Sequence, residues 1–416
     1  MSKLGDHIEY VKGFAFKSKD YTETGIPVIR VSNFTDNSID IKDVYHIPKE
    51  RFSEFQKVNL IKDDIVIATV GSWPTNPSSV VGKTIRVPPE ANNTLLNQNA
   101  VRIRSLDKDE QLYFYYVLKD KSFSDYIIST AQGSANQASI TLKSILDYDL
   151  PNIDSKEKRI KIGKILATYD EKIQLNTLIN QTLEQIAQAL FKSWFVDFDP
   201  VRAKVQTLSD GLSLEQAELA AMQSISGKTP EELTALSQTQ PERYTELAET
   251  AKAFPYEMVE VDGVEVPKGW EYCTFGDVSE CFDSKRIPLS KQQREKRKGN
   301  IPYYGATSVM DYVDEAIFDD IYLLIGEDGS VLKEDGTPFT QYIWGKSWVN
   351  NHAHVLKGRN GISTEHLMIF IQQTNISAYI TGAVQLKLNQ KNMNSIPFLK
   401  ANNAINAFFA EYIESL

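Results

Sequence analysis

The chain carries one pattern twice, and this duplication constrains its fold more than any other feature. Leu4-Gly5-Asp6 is echoed by Phe275-Gly276-Asp277, and Gly25-Ile26-Pro27-Val28-Ile29 by Asn300-Ile301-Pro302-Tyr303-Tyr304. Asp63-Asp64-Ile65-Val66-Ile67 returns as Asp319-Asp320-Ile321-Tyr322-Leu323, followed each time by a Gly-Ser turn, Gly71-Ser72 and Gly329-Ser330. Leu96 to Val101 matches Val349 to His354, and Asp149-Leu150-Pro151 matches Ser395-Ile396-Pro397. Five echoes in one order, at offsets drifting from 271 to 246 residues, mark two copies of one module.

Each copy reads as mixed α and β. Short β-branched and aromatic runs at 28–31, 65–70, 100–103, 321–325 and 342–344 are bounded by turn residues and predict strands. Apolar spacing predicts helices over 111–121 and 364–373. After Pro151, Ile162, Leu166, Tyr169, Ile173, Leu183, Ala187, Leu190 and Trp194 alternate at four and three residues, with Asn176 and Asn180 completing the seam. That is a heptad stripe about 40 residues and about 60 Å long, in which buried asparagines set register. After Pro397 a shorter helix places Ile405, Phe408, Phe409, Tyr412 and Ile413 on one side and ends at Leu416. Between the copies, 214–226, 230–238 and 241–253 predict short helices with Thr-Pro and Gln-Pro starts. The expected division is a first module 1–150, a central helix 151–198, a helical connector 199–267, a second module 268–397 and a C-terminal helix 398–416 that pairs with the central one.

The net charge of -10 argues against a nucleic-acid partner until it is located. Residues 199–267 hold five Lys/Arg against thirteen Asp/Glu, which reads as a solubilising connector, and the two modules are nearly neutral. Within the second module, Lys285, Arg286, Lys291, Arg294, Lys296, Arg297 and Lys298 lie within fourteen residues, opposed only by Glu295. Screening over about 8 to 10 Å lets such a patch meet phosphate despite distant acidic charge. A solvated Lys/Arg loop reads equally well.

No chemistry is legible. Gly82-Lys83-Thr84, Gly227-Lys228-Thr229 and Gly345-Lys346-Ser347 lack the upstream glycine of a phosphate loop, holding Pro77, Met222 and Thr340 there. His352 and His354 share a strand face without a familiar ligand set, so no metal is expected. Asp63-Asp64 and Asp319-Asp320 precede strands, where turn or cap roles are expected. Cys273 and Cys281 form no disulfide framework, Met1 to Val11 has no apolar block, and no apolar run approaches the roughly 20 residues of a membrane span. A cytoplasmic protein is expected. What remains is binding: two related modules on a rigid helical ruler, in near-twofold arrangement, suit two half-sites of a duplex. Polar stretches at 14–19, 72–79 and 132–137 supply candidate contacts, with Lys17, Lys19, Arg30, Asn33, Ser72, Trp73, Asn76, Gln132, Ser134, Asn136 and Gln137 the residues singled out.

The sequence also resembles the DNA-specificity subunits of type I restriction and modification systems. The resemblance rests on Leu4-Gly5-Asp6, Gly25-Ile26-Pro27 and Ile145 to Pro151, and most specifically on Ala189-Leu190-Phe191-Lys192-Ser193-Trp194-Phe195-Val196-Asp197-Phe198-Asp199-Pro200-Val201-Arg202 followed by Val266-Pro267-Lys268-Gly269-Trp270. It implies an α+β fold in which two target-recognition domains each read one half of a bipartite DNA sequence. It implies antiparallel coiled-coil helices that set the spacing and hold two modification subunits, which methylate adenine N6. It also implies an ATP-driven restriction subunit. S-adenosylmethionine and ATP then belong to the partners, and no cofactor to this chain. The C-terminal arm is shorter than in most relatives, so weaker pairing is expected. The alternatives are a fused methyltransferase or nuclease, for which motifs are lacking, and a protein-interaction scaffold with two modules on a stalk.

Overall fold

The computed structural model describes residues 2–73, 80–134, 137–153, 155–382 and 384–416. The chain divides into two units, Met1–Leu178 and Ile179–Leu416.

The first unit contains β1 (Ile8–Lys12), β2 (Ile26–Ile29), β3 (Tyr45–Ile47), β4 (Asn59–Leu60), β5 (Ile65–Ala68), β6 (Val70–Gly71), β7 (Thr84–Arg86), β8 (Thr94–Leu96), β9 (Ala100–Ser105), β10 (Gln132–Ser134) and β11 (Gln137–Ser139). Among the described residues, one antiparallel sheet runs β1-β9-β5-β7 and a second runs β3-β2-β8-β4, with β2 and β8 parallel. The four residues of β5 are all buried because the strand feeds two cores by alternation. Ile65 and Ile67 pack with Phe114 and Phe123, whereas Val66 and Ala68 pack with Val28 and Leu95. A three-stranded sheet β10-β11-β6 projects from this frame.

The second unit repeats the plan. Its strands are β12 (Met258–Val261), β13 (Val264–Pro267), β14 (Glu271–Thr274), β15 (Ser279–Cys281), β16 (Lys298–Tyr304), β17 (Val309–Val313), β18 (Phe318–Asp319), β19 (Tyr322–Gly326), β20 (Thr340–Ile343), β21 (Lys346–Val349), β22 (Ala353–Gly358) and β23 (Pro397–Lys400). Sheet β15-β22-β19-β20 has the order of β1-β9-β5-β7, and β17-β16-β21-β18 has that of β3-β2-β8-β4, with β16 and β21 again the parallel pair. The buried strand alternates as before, Leu323 and Ile325 toward one core and Tyr322 and Leu324 toward another. The duplication read from the sequence is therefore a repeat of topology.

The long helix spans Lys156–Phe191 and continues as a π-helical turn over Lys192–Val196. It starts after Ser155, whose Oγ accepts the Lys158 amide, rather than directly after Pro151. Arg159 pairs with Glu110, and Tyr116 Oη donates to Asp170 at 2.8 Å, fastening the first turns to the first unit. Along the expected seam, Ile162 packs on that unit's core and Leu183 is half-buried. Leu166, Tyr169, Ile173, Asn176 and Asn180 are exposed, Tyr169 by 62% and Ile173 by 63%.

The seam's last residues correct the expectation of a continuous partner-facing stripe. Trp194 is wholly buried in its own chain, 5.1 Å from Phe254 and 5.8 Å from Phe409 between ring centroids, and Leu190 packs on the same core. Trp194 lies within the π-helical turn, and Leu190 in the last α-helical turn before it. The segment 199–267 is likewise more than a solubilising connector. Its helices Asp199–Ser209, Leu214–Ser226, Pro230–Thr239 and Pro241–Ala253 contribute Val201, Ala221, Met222, Leu233 and Ala251 to this core, and Phe254 follows the last of them into it. The C-terminal segment also differs from a helix begun at 398. Residues Pro397–Lys400 form β23 against β14, and Asn402 caps the helix Asn403–Glu414 by accepting the Ile405 amide. That helix buries Ile405 and Phe409, leaving Phe408 half-buried and Tyr412 46% exposed.

His366, on the helix Thr364–Gln372, is enclosed by the rings of Phe191, Phe195, Phe398 and Phe409 at 4.6 to 5.6 Å. Neither ring nitrogen has a hydrogen-bond partner among the described residues, and burial pushes its pKa from 6.5 down to about 3. Between those values the unfolded chain holds a proton that the folded chain does not, so stability falls as pH drops below about 6.5, by up to about 1.4 kcal/mol per pH unit. We expect His366→Phe to narrow the gap in Tm between pH 7.5 and pH 5, measured beside the parent chain. An unchanged gap would contradict the neutral, caged imidazole.

Candidate nucleic-acid interface

In the first unit, β10 and β11 form an antiparallel hairpin with Gln132 opposite Ser139 and Ser134 opposite Gln137. Side chains alternate across a strand, so these four polar residues share one face. All four are exposed, while Ala138 points into the core. β11 is held by β6, which extends the buried strand β5. Trp73 Nε1 donates to the Ser134 carbonyl at 2.8 Å, and Ser72 bridges to Val80. The structure thus brings Ser72, Trp73, Gln132, Ser134 and Gln137 together; Asn76 and Asn136 lie outside the described residues.

The remaining first-unit candidates lie near the second sheet. Arg30 follows β2 and stacks over Tyr45 at 4.3 Å, and Tyr45 stacks on Tyr21. Lys17 and Lys19 are exposed and make no ion pair within 4 Å among the described residues. Asn33 is corrected to a structural role: it is buried, accepts the Arg30 amide and donates to the Asp43 carbonyl, which closes a turn.

The basic segment of the second unit divides in two. Arg286 pairs with Asp283 and Glu327 and donates to the Ala353 carbonyl. Arg294 pairs with Asp311, donates to the Leu289 carbonyl and lies 5.1 Å from the centre of the Tyr303 ring. Arg297 pairs with Asp314 and Glu315 over Trp348, and Lys298 pairs with Asp311. Lys298, the Tyr312 amide and Arg294 together hold the Asp311 carboxyl down at about 2. These four cations are all paired with carboxylates, most of which follow later in the chain, so the pairing is invisible to a local charge count. Lys285, Lys291 and Lys296 are exposed and lack an ion pair among the described residues. They are the part of the cluster open to phosphate.

Asp64 behaves as the turn residue expected, accepting the Ile61 amide and pairing with Arg104. His354 forms a group with Cys281 and Asp283 whose ligand atoms lie within 4.8 Å, yet its chemistry does not suit a cation. Its Nδ1 meets Asp283 at 2.5 Å and its Nε2 the Leu388 carbonyl at 2.8 Å, so both ring nitrogens are engaged. Burial also pushes the Cys281 thiol up to about 12, and Arg286 adds positive charge beside Asp283. The group serves as a brace for the chain at Leu388.

Sequence reasoning missed the segment that this brace supports. Thr381 pairs with Lys387, and Lys387 with Asp328 just beyond β19, as β11 pairs with β6 just beyond β5. The Leu388 amide donates to the Glu327 carbonyl, and the Ile140 amide to the Thr69 carbonyl, at corresponding places. The second unit therefore carries its own hairpin, and a glycine followed closely by a glutamine, Gly133 and Gln137 in one copy and Gly382 and Gln385 in the other, was the signal available.

Charge reversal separates the two halves of the basic segment. We expect Lys285→Glu, Lys291→Glu and Lys296→Glu together to leave Tm unchanged and weaken duplex binding across sequences, whereas Arg294→Glu lowers Tm because it sets a like charge against Asp311 and frees the Leu289 carbonyl. Thermal melts and binding titrations check this, and unchanged affinity in the triple variant would contradict a phosphate role for the lysines.

The family model described as type I restriction modification DNA specificity domain matches residues 1–185 and 267–409, leaving the core-building helices between them unmatched. The HindI specificity subunit of Haemophilus influenzae is 41% identical over 334 residues, covering 73% of this chain and 70% of that one. The MjaIX specificity subunit of Methanocaldococcus jannaschii is 34% identical over 105 residues, 25% of this chain and 23% of its own. A crystal structure of a type I S subunit from M. genitalium covers 100% of this chain and 88% of its own at 17% identity and TM-score 0.49. With two matched regions on one repeated topology, the chain belongs to the DNA specificity subunits of type I restriction-modification systems, the non-catalytic members of those complexes.

Proposed function

We propose that each unit reads one half of a bipartite duplex target and that the long helix both sets the distance between the halves and recruits the modification subunits. The observation that carries this reading is the repetition of one sheet topology with one exposed hairpin in each copy. Two related readers on one chain suit a split, non-palindromic site, since each half can differ independently. Lys17, Lys19, Lys285, Lys291 and Lys296 supply phosphate contacts, which position without specifying, and the hairpins supply base contacts.

The apolar residues Leu166, Tyr169 and Ile173, left exposed beside and just beyond the Arg159 and Asp170 anchors, are the surface on which we place the modification subunits. Large apolar side chains repeating along one helix in water mark a partner site. Asn176 and Asn180 continue the stripe as register-setting polar positions. Adenine-N6 methylation with S-adenosylmethionine, and ATP-driven restriction, belong to the partner subunits. No helix among the described residues is long and apolar enough to cross a membrane, and the reading places the chain in the cytoplasm with the chromosome.

Binding to duplexes with one half-site scrambled tests the proposal. We expect either scramble to weaken binding, an insertion between intact halves to weaken it as well, and affinity to fall steeply with salt. Insensitivity to the insertion would show that the helix is not a ruler, and insensitivity to salt would favour the protein-interaction scaffold.

A further inference from the structure

The two hairpins share a backbone device beyond their place in the sheet. Gly133 and Gly382 have φ of +156° and +89°, and a Cβ on either would overlap the carbonyl oxygen of Gln137 or Gln385 respectively. Only glycine permits that approach, so each hairpin fixes the backbone of one glutamine against a glycine. Both glutamine side chains are exposed. One hairpin is then closed by the Trp73 indole on the Ser134 carbonyl.

The other hairpin is closed by a buried polar network. His354 holds the Leu388 carbonyl at its base, Asp283 orients His354, and Glu327 takes the ammonium of Lys387 at 3.2 Å. His354 lies opposite Ile325 in the register, where the first unit has Val101 opposite Ile67. The fold therefore does not require a histidine there; the network serves the hairpin. With Lys387 paired, the exposed side chains left among the described residues of the hairpin are Thr381, Gln385 and the apolar Val384 and Leu386, Val384 being 102% exposed. Exposed apolar side chains beside a glutamine amide form a surface suited to being covered.

We propose that Gln385 is the base-reading residue of the second recognition domain and the counterpart of Gln137 in the first, each amide recognising an adenine edge. This rests on the bipartite reading above. A glutamine amide offers one donor and one acceptor in the arrangement that adenine N6 and N7 complement in the major groove. The pinned backbone fixes the point from which each glutamine side chain extends, and the exposed amide orders its own torsions on binding.

Selection from a random double-stranded DNA pool, by the full chain in complex with its modification subunit, tests this. The parent chain yields the split motif; failure to recover one would overturn the bipartite reading itself. Given the motif, Gln385→Ala is expected to erase the preference for adenine at one position of the second half-site, with a loss of about 5- to 150-fold against that base, and to leave the first half intact. Gln137→Ala is expected to do the converse. His354→Val, which installs the first unit's residue, is expected to blur the same position as Gln385→Ala with no change in Tm large enough to unfold the chain. If Gln385→Ala selects the parent motif at every position, the hairpin is not the reader and the inference falls while the bipartite function stands.

Discussion

The second unit depends on the burial of one aromatic stretch. Phe191, Trp194, Phe195 and Phe198 fall at the end of the long helix and in the turn beyond it, and their rings pack on Phe254, Trp270, His366 and Phe409 from four separate segments. Truncating a buried ring of this size costs about 3–5 kcal/mol. The stretch therefore joins helix, inserted helices and C-terminal helix into one core, and no part of it remains for a partner. The same burial leaves His366 neutral in an apolar cage, so acid weakens this core.

That core divides the long helix into segments with different duties. Its first turns are tied down by Arg159 and Asp170, its last by Phe191, and Leu166, Tyr169 and Ile173 stay exposed beside or beyond the first of these anchors. A heptad pattern cannot report this difference, because Trp194 and Tyr169 satisfy the spacing equally. What separates them is the π-helical turn and the tertiary partners supplied more than 50 residues later, chiefly Phe254 and Phe409.

The duplicated fold was legible because its signals are local: Gly25-Ile26-Pro27 and its echo each sit at a strand, and Ile65 to Ala68 and Tyr322 to Gly326 each alternate between two cores. The inserted helices were legible from Pro230 and Pro241 at their first positions. The basic cluster was legible as charge but not as free charge, since Asp311, Asp314, Glu315 and Glu327 reach Arg286, Arg294, Arg297 and Lys298 only after β16 and β17 have folded back. The second hairpin escaped notice because Gly382 and Gln385 are one residue closer than Gly133 and Gln137, and the residues around them share little identity in register.

The central claim is that two copies of one module read two different half-sites at a fixed separation. An adenine-methylation map of DNA from cells carrying this chain with its modification subunit, set against cells lacking the chain, tests it most directly. The account predicts a split motif, methylated in both halves, that disappears with the chain. A contiguous motif, or methylation that is unchanged without the chain, would contradict it.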